Sequence, residues 1–182
     1  MSGRPRSSRH QVLAAAATVL AVRPQASMQE IAAAADLHRA TLYRHFTDRE
    51  QLLHAVITQV LTEATGAVTA TEEQGPPGWA ALHRATVALV EVGTRYLGLV
   101  GGSTTDDPEL LELEARLNAA LHRIVERAQQ EHEVRDDLDP RWVTLCLLQL
   151  LAAAAEEVRA GRLTPEAVPD LVLDTVRHGV GT

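Results

Sequence analysis

The side chains best equipped for chemistry fall in one short stretch. His38, Arg39, Thr41, Tyr43, Arg44 and His45 lie within eight residues, and Arg49 follows shortly after. Read as one face of a short helix with Ala40 among them, they offer cations and hydroxyls to an anionic partner. Arg39, near the start of that helix, suits the O6 and N7 acceptors of guanine, the commonest base-specific contact. The hydroxyls of Thr41 and Tyr43, the His45 imidazole and the Arg49 guanidinium suit phosphate oxygens. Ser27 opens an earlier helix whose unpaired backbone N–H groups suit another phosphate. Other chemistries are poorly supplied. There is no Gly-x-Ser-x-Gly, phosphate loop or His-Glu-x-x-His, so no enzyme is expected. His122 with Glu126, and His132 between Glu131 and Glu133, fall short of a metal-ligand set, so neither metal nor cofactor is expected. Cys146, the single cysteine, sits in an apolar helix as an inert buried thiol and forms no internal disulfide.

These residues need a scaffold, and helical periodicity supplies it. Leu13, Ala16, Ala17 and Leu20 stripe a first helix that Pro24 stops. Ser27-Met28-Gln29-Glu30 is a capping box that opens a second, short helix with Ile31, Ala34 and Ala35 turned inward. Asp36 follows at the turn, a residue type that tolerates left-handed backbone. A third helix runs from about His38 to Phe46, and Thr47-Asp48-Arg49-Glu50 reads as a second capping box opening a longer helix. Two short helices joined by a tight turn after a first helix make a helix-turn-helix, whose second helix enters the DNA major groove. Ile31, Ala35, Leu37, Leu42 and Phe46 form the shared core. Beyond the break at Thr71–Gly78, helices are expected from Trp79 to about Val100, from Asp107-Pro108, from Asp139-Pro140 and from Thr164-Pro165. The segment Gly101–Thr105 interrupts them. The chain therefore reads as all-α with about nine helices and no strand.

Charge distribution agrees with a small anion-binding head. The 182 residues carry a net −7, yet residues 1–55 hold seven arginines against four acids, and residues 56–182 hold ten against twenty. A basic head on an acidic body confines nucleic-acid contact to the head. Arg4, Arg6 and Arg9 form a tail suited either to a DNA groove or to plain solvation. Aromatic residues are only 3%, which disfavours an all-β fold, and 46% apolar content excludes a disordered chain. The longest nearly apolar run, Trp142–Ala155, is 14 residues, short of the ~20 that span a bilayer, and no signal segment precedes Gln11. A cytoplasmic protein without membrane contact is expected.

Residues 27–53, with the core Thr41-Leu42-Tyr43-x-x-Phe46 followed by Glu50 and Leu52-Leu53, and with Ile31-Ala32 upstream, closely resemble the DNA-binding head of the TetR family of bacterial transcriptional regulators. The resemblance implies a head over residues 1–50 and a helical effector-binding and dimerisation body over 51–182. It further implies a homodimer on a palindromic DNA operator, a repressor released by a small-molecule effector. The sequence departs from the family pattern at Asp36, where glycine is usual, and at His38, where serine is common. Arg23-Pro24-Gln25 replaces a glycine-aromatic pair in a link about two residues short. A changed angle between the first two helices is expected, with the fold retained.

In the body, Trp142, Leu145, Cys146, Leu150 and Ala153 make one apolar face of the seventh helix, and Val143, Leu147, Leu151 and Ala154 another. A helix apolar on two faces is buried on both. Leu147, Leu151, Ala154 and Val158, with Val168, Leu171, Val172 and Thr175 of the last helix, are the expected dimer face of a four-helix bundle between subunits. Tyr96, Asn118, His122, Trp142, Cys146 and Gln149, polar or aromatic groups within apolar helices, are the expected effector contacts. Two rival readings are a helical adaptor that retains an unused helix-turn-helix, and an enzyme using body His or Glu residues. Salt-dependent DNA binding separates the first from a regulator, and turnover the second.

Overall fold

The computed structural model describes residues 9–96 and 106–179. Arg4, Arg6, the expected continuation of the fifth helix to Val100 and the Gly101–Thr105 break lie outside them. Eight α-helices and one 3-10 turn occur among the described residues, with no strand. They are α1 (Arg9–Val22), α2 (Met28–Ala34), α3 (Arg39–His45), α4 (Arg49–Glu73), α5 (Trp79–Arg95), α6 (Pro108–Gln130), α7 (Pro140–Arg159) and α8 (Val168–His178). The 3-10 turn, Pro165–Ala167, leads directly into α8, and Thr164 makes no side-chain cap there.

Side-chain caps set the starts of α2, α4, α6 and α7. Ser27 and Glu30 form the reciprocal box expected of them. Asp107 and Asp139 cap α6 and α7 with proline in the first turn. At α4 the register shifts by one residue from expectation. Asp48 is the cap and accepts from Gln51 N at 2.8 Å, while the Gln51 side chain accepts from Thr47 N–H at 2.8 Å. Aspartate is as good a cap as threonine, and glutamine closes the box from one position further on.

Two cores follow. The head core gathers Leu13, Ala16 and Leu20 of α1, Ile31 of α2, Leu42 and Phe46 around α3, and Leu52 and Val56 of α4. Val92 and Tyr96 at the end of α5 reach it as well. The body core gathers Leu82 and Ala85 of α5, Leu121, Ile124 and Val125 of α6, Val143 and Leu147 of α7, and Val172 and Leu173 of α8. Helix α4 serves both, with Leu52 and Val56 in the first and Val68 in the second. Its 25 residues make it a ~37 Å rod, so a displacement of the body reaches the head through one rigid element.

Two local devices hold the body's loops. The buried Gln129 amide donates to the carbonyls of Arg135 and Leu138 at 2.7 and 2.9 Å, which satisfies its N–H groups and fixes the turn from α6 to α7. Gly78 has φ +69, and a Cβ there would stand 2.2 Å from carboxylate oxygens of both Glu131 and Glu133. That close approach lets the Trp79 N–H donate to Glu133 at 2.5 Å.

The expected dimer residues divide between the subunit's own core and its surface. On α7, Val143, Leu147 and Ala154 are buried in the subunit's own core, and Val168 and Val172 of α8 are buried with them. The outward face instead carries Trp142 at 56% exposure and Leu145 at 46%, beside exposed Gln149 and Ala153, and Leu171 of α8 at 50%. Of the expected dimer residues, Leu151, Val158 and Thr175 are half-buried, and only Leu171 is exposed. Periodicity identified two apolar faces correctly. Both suit a core equally well, so composition could not say which one the subunit keeps.

Candidate nucleic-acid interface

Helix α3 is positioned from behind. Leu42 and Phe46 are fully buried against Ile31, Leu20 and Leu52, a burial of roughly 1.5–3 kcal/mol for each large apolar side chain. Asp36 turns the chain between α2 and α3 with φ 51, the left-handed conformation that glycine usually supplies. Leu37 N–H closes the turn onto Ala32 O at 2.9 Å. With one side of the seven-residue helix anchored, the other must face solvent. His38, Arg39, Ala40, Tyr43 and Arg44 are exposed, and Thr41 and His45 half-buried.

The exposed side chains are partly organised before any ligand arrives. The Arg39 guanidinium lies over the Tyr43 ring, 5.4 Å from its centroid, a cation–π contact that limits the wandering of a long side chain. Arg44 Nη2 and His45 Nε2 are 3.2 Å apart. His38 stands at the helix start without a side-chain cap bond, as the substitution of an imidazole for a hydroxyl implied. Arg9, at the start of α1, packs over the Phe46 ring at 5.0 Å. That gives it a structural contact at the C-terminal end of α3.

Two expected phosphate contacts have other partners. The Ser27 hydroxyl lies 2.7 Å from Glu30 Oε2, and Ser27 N–H donates to the same oxygen at 2.8 Å. These two bonds, the hydroxyl's first, hold the Glu30 carboxyl below its ordinary value. A carboxylate thus occupies the helix start where a phosphate was expected. Arg49 is half-buried, and its Nε donates to Ala26 O at 3.1 Å while Nη2 donates to Pro24 O. Its reach is toward the link between α1 and α2. Spacing alone could not show this, because the shortened link brings those carbonyls to the start of α4 only in three dimensions.

The six expected effector residues differ in exposure. Asn118, Trp142 and Gln149 are exposed, while His122 and Cys146 are half-buried. His122 Nε2 lies 3.4 Å from Glu126, and its Nδ1 is buried without a hydrogen-bond partner. Tyr96 is buried and donates to Glu63 Oε1 at 3.1 Å; Gln59 Nε2 donates to the same oxygen at 2.7 Å, and Arg95 pairs with Glu63 Oε2 at 3.2 Å. Burial, then the bond to Glu63, raises the Tyr96 hydroxyl above its ordinary value. A cleft of about 670 Å³ opens beside this cluster, between Ala17, Thr18 and Ala21 of α1 and Tyr96, Val158 and Arg159. Of the six residues only Tyr96 reaches it. No group of three or more potential metal ligands occurs among the described residues, and none of their helices is long and apolar enough to cross a membrane.

A buried-backed, outward-facing second helix, carried on a three-helix head with an all-helical body, is the arrangement of a helix-turn-helix protein. Residues 12–56 match the family model described as bacterial regulatory proteins, tetR family. Over 182 residues, the whole of this chain and 94% of the other, the protein is 28% identical to the HTH-type transcriptional repressor LfrR of Mycolicibacterium smegmatis. The crystal structure of LfrR from Mycobacterium smegmatis in complex with proflavine superimposes with a TM-score of 0.73. It is 26% identical, covering 96% of this chain and 97% of that one. The regulator PfmR of Thermus thermophilus, 22% identical, shares the fold with a TM-score of 0.76 over 94% and 99% of the two chains. The head of the protein thus matches the tetR family of bacterial regulators, and the chain over its whole length is similar to a transcriptional repressor and to TetR-like regulators of known structure.

Proposed function

We propose that the protein is a cytoplasmic repressor that binds a palindromic operator as a homodimer and is released by a small organic effector. The observation that carries this reading is the geometry of α3: Leu42 and Phe46 are locked inside while Arg39, Tyr43 and Arg44 stand outward. Arg39 reads a base edge, and Arg44, Tyr43, Thr41 and His45 take backbone phosphates. Two such helices in successive major grooves lie ~34–36 Å apart, which requires a symmetric pair of subunits. The outward stripe Trp142, Leu145, Gln149 and Ala153 of α7, continued by Leu171 of α8, supplies the pairing surface. It replaces the Leu147 face expected from sequence. Head and body are best divided within α4, near residue 50.

An effector works only by binding the DNA-incompetent form better than the competent one. The LfrR structure holds proflavine, so planar cationic aromatics are the first compounds to try. Selection of bound duplexes from a random DNA pool tests the reading, repeated with such compounds present. A reproducible inverted repeat, lost when an effective compound is added, is expected. Failure to enrich any repeat in either condition would overturn it.

A further inference from the structure

Arg49 opens the helix that runs from head to body, and a cation at that place would ordinarily be assigned to the DNA backbone. Its guanidinium is engaged elsewhere. Nε donates to Ala26 O at 3.1 Å and Nη2 to Pro24 O, both carbonyls of the link between α1 and α2. Proline has no N–H to tie that link down, and its few internal bonds are Arg23 N–H to Val19 O at 2.9 Å and Ala26 N–H to Arg23 O at 3.0 Å. Ser27, the cap of α2, follows immediately. The planar fork of an arginine is suited to two acceptors at once, and a lysine ammonium, a single nitrogen, is not.

We propose that Arg49 is a positioning residue for DNA recognition: it clamps the shortened α1–α2 link to the start of α4, fixing the angle at which α2 and the recognition helix are presented. This deepens the operator-binding reading and rests on it. Charge at position 49 then matters less than the fork. A residue that touches phosphate contributes alike to every DNA sequence and to the salt dependence. A positioning residue contributes chiefly to the specific complex, where base contacts require an exact helix angle.

The test uses the full-length protein with R49K and R49Q. Binding is measured to the duplex recovered by selection and to a scrambled duplex of equal length, over a series of salt concentrations. Amide exchange is measured without DNA. Both variants are expected to lose roughly 10- to 100-fold in affinity for the selected duplex, the equivalent of a charged hydrogen bond. Binding to the scrambled duplex and the salt slope should remain unchanged. Exchange is expected to quicken at Ala26 and Glu30 and to stay as in the parent across α5 to α8. Wild-type affinity in R49K would overturn the proposal, as would equal loss on both duplexes with the slope reduced by about 0.9. So would unchanged exchange at Ala26 and Glu30. That DNA-free arm stands even if selection recovers no operator, so failure of the clamp and failure of the operator reading remain separable.

Discussion

The two faces of α7 give the sharpest prediction, because the face expected from sequence to pair is one the subunit buries in its own core. Trp142 is 56% exposed in the single subunit. A fully buried aromatic covers about 150–250 Å², so completing its burial against a partner removes about 85–140 Å² from water. At ~25 cal/mol per Å² that is about 2–3.5 kcal/mol per subunit, and the twofold symmetry of a dimer counts it twice. Trp142→Ser should therefore weaken self-association by about 4–7 kcal/mol, or roughly a thousandfold or more in dissociation constant. The fold of each subunit should change little, since an exposed site away from caps and cores seldom matters by more than ~0.5 kcal/mol. Leu147→Ala is the control. That side chain is fully buried within the subunit, and its truncation should cost about 2–5 kcal/mol of folding stability. The assay is sedimentation equilibrium over a concentration series alongside thermal unfolding monitored by circular dichroism. A W142S protein as strongly dimeric as the parent, with L147A folded and monomeric, would refute the assignment of faces.

Three further outcomes are expected. Arg39→Ala should cost ~1–3 kcal/mol of operator affinity and relax preference at one base position in each half-site; uniform loss over all sequences, measured by competition binding, would assign Arg39 to phosphate instead. Asp36→Gly should raise the thermal midpoint, by up to about 1 kcal/mol in stability, because φ 51 suits glycine better than any residue with a Cβ. A lowered midpoint would show that the aspartate's own contacts outweigh its strain. Glu30 titrates below its ordinary value of 4.5 in the folded chain because the Ser27 hydroxyl and N–H bind its charged form. Its contribution is therefore complete above that value and lost as pH falls through the depressed one. The gap in thermal midpoint between wild type and E30Q should be flat well above the ordinary value and close as pH falls through the depressed one; a gap that widens on acidification contradicts the capping account.

The head was largely legible in the sequence because each of its signals is local. Ser27 and Glu30 cap each other across three residues, Leu42 and Phe46 share a face one turn apart, and Asp36 marks its turn by residue type alone. The exposed set on α3 then follows by exclusion, since a helix anchored on Leu42 and Phe46 turns Arg39, Tyr43 and Arg44 away from the core. Arg49 escaped the same reasoning. Its partners are backbone carbonyls 23 and 25 residues earlier in the chain, and any residue type supplies a carbonyl. Tyr96 escaped likewise: a tyrosine closing an apolar helix suits a ligand or a half-buried carboxylate equally, and Glu63, 33 residues away, is its partner.

The body shows where local pattern stops carrying information. Periodicity establishes that α7 has two apolar faces, and burying either removes apolar surface from water, so the pattern alone does not say which one turns inward. Val143, Leu147 and Ala154 of the inward face are all buried and none is larger than leucine, whereas Trp142 of the outward face is 56% exposed. An indole in place of a valine or leucine overfills such a face, because a core filled to crystal-like density accepts no extra ring without displacing its neighbours. The rule that follows for such a helix is that the bulkiest aromatic of two competing apolar faces marks the face left outside the subunit's own core. Exchanging the residues at 142 and 143 therefore should not exchange the faces; it should overpack the core, lower the thermal midpoint and leave the outward stripe weaker as a dimer surface.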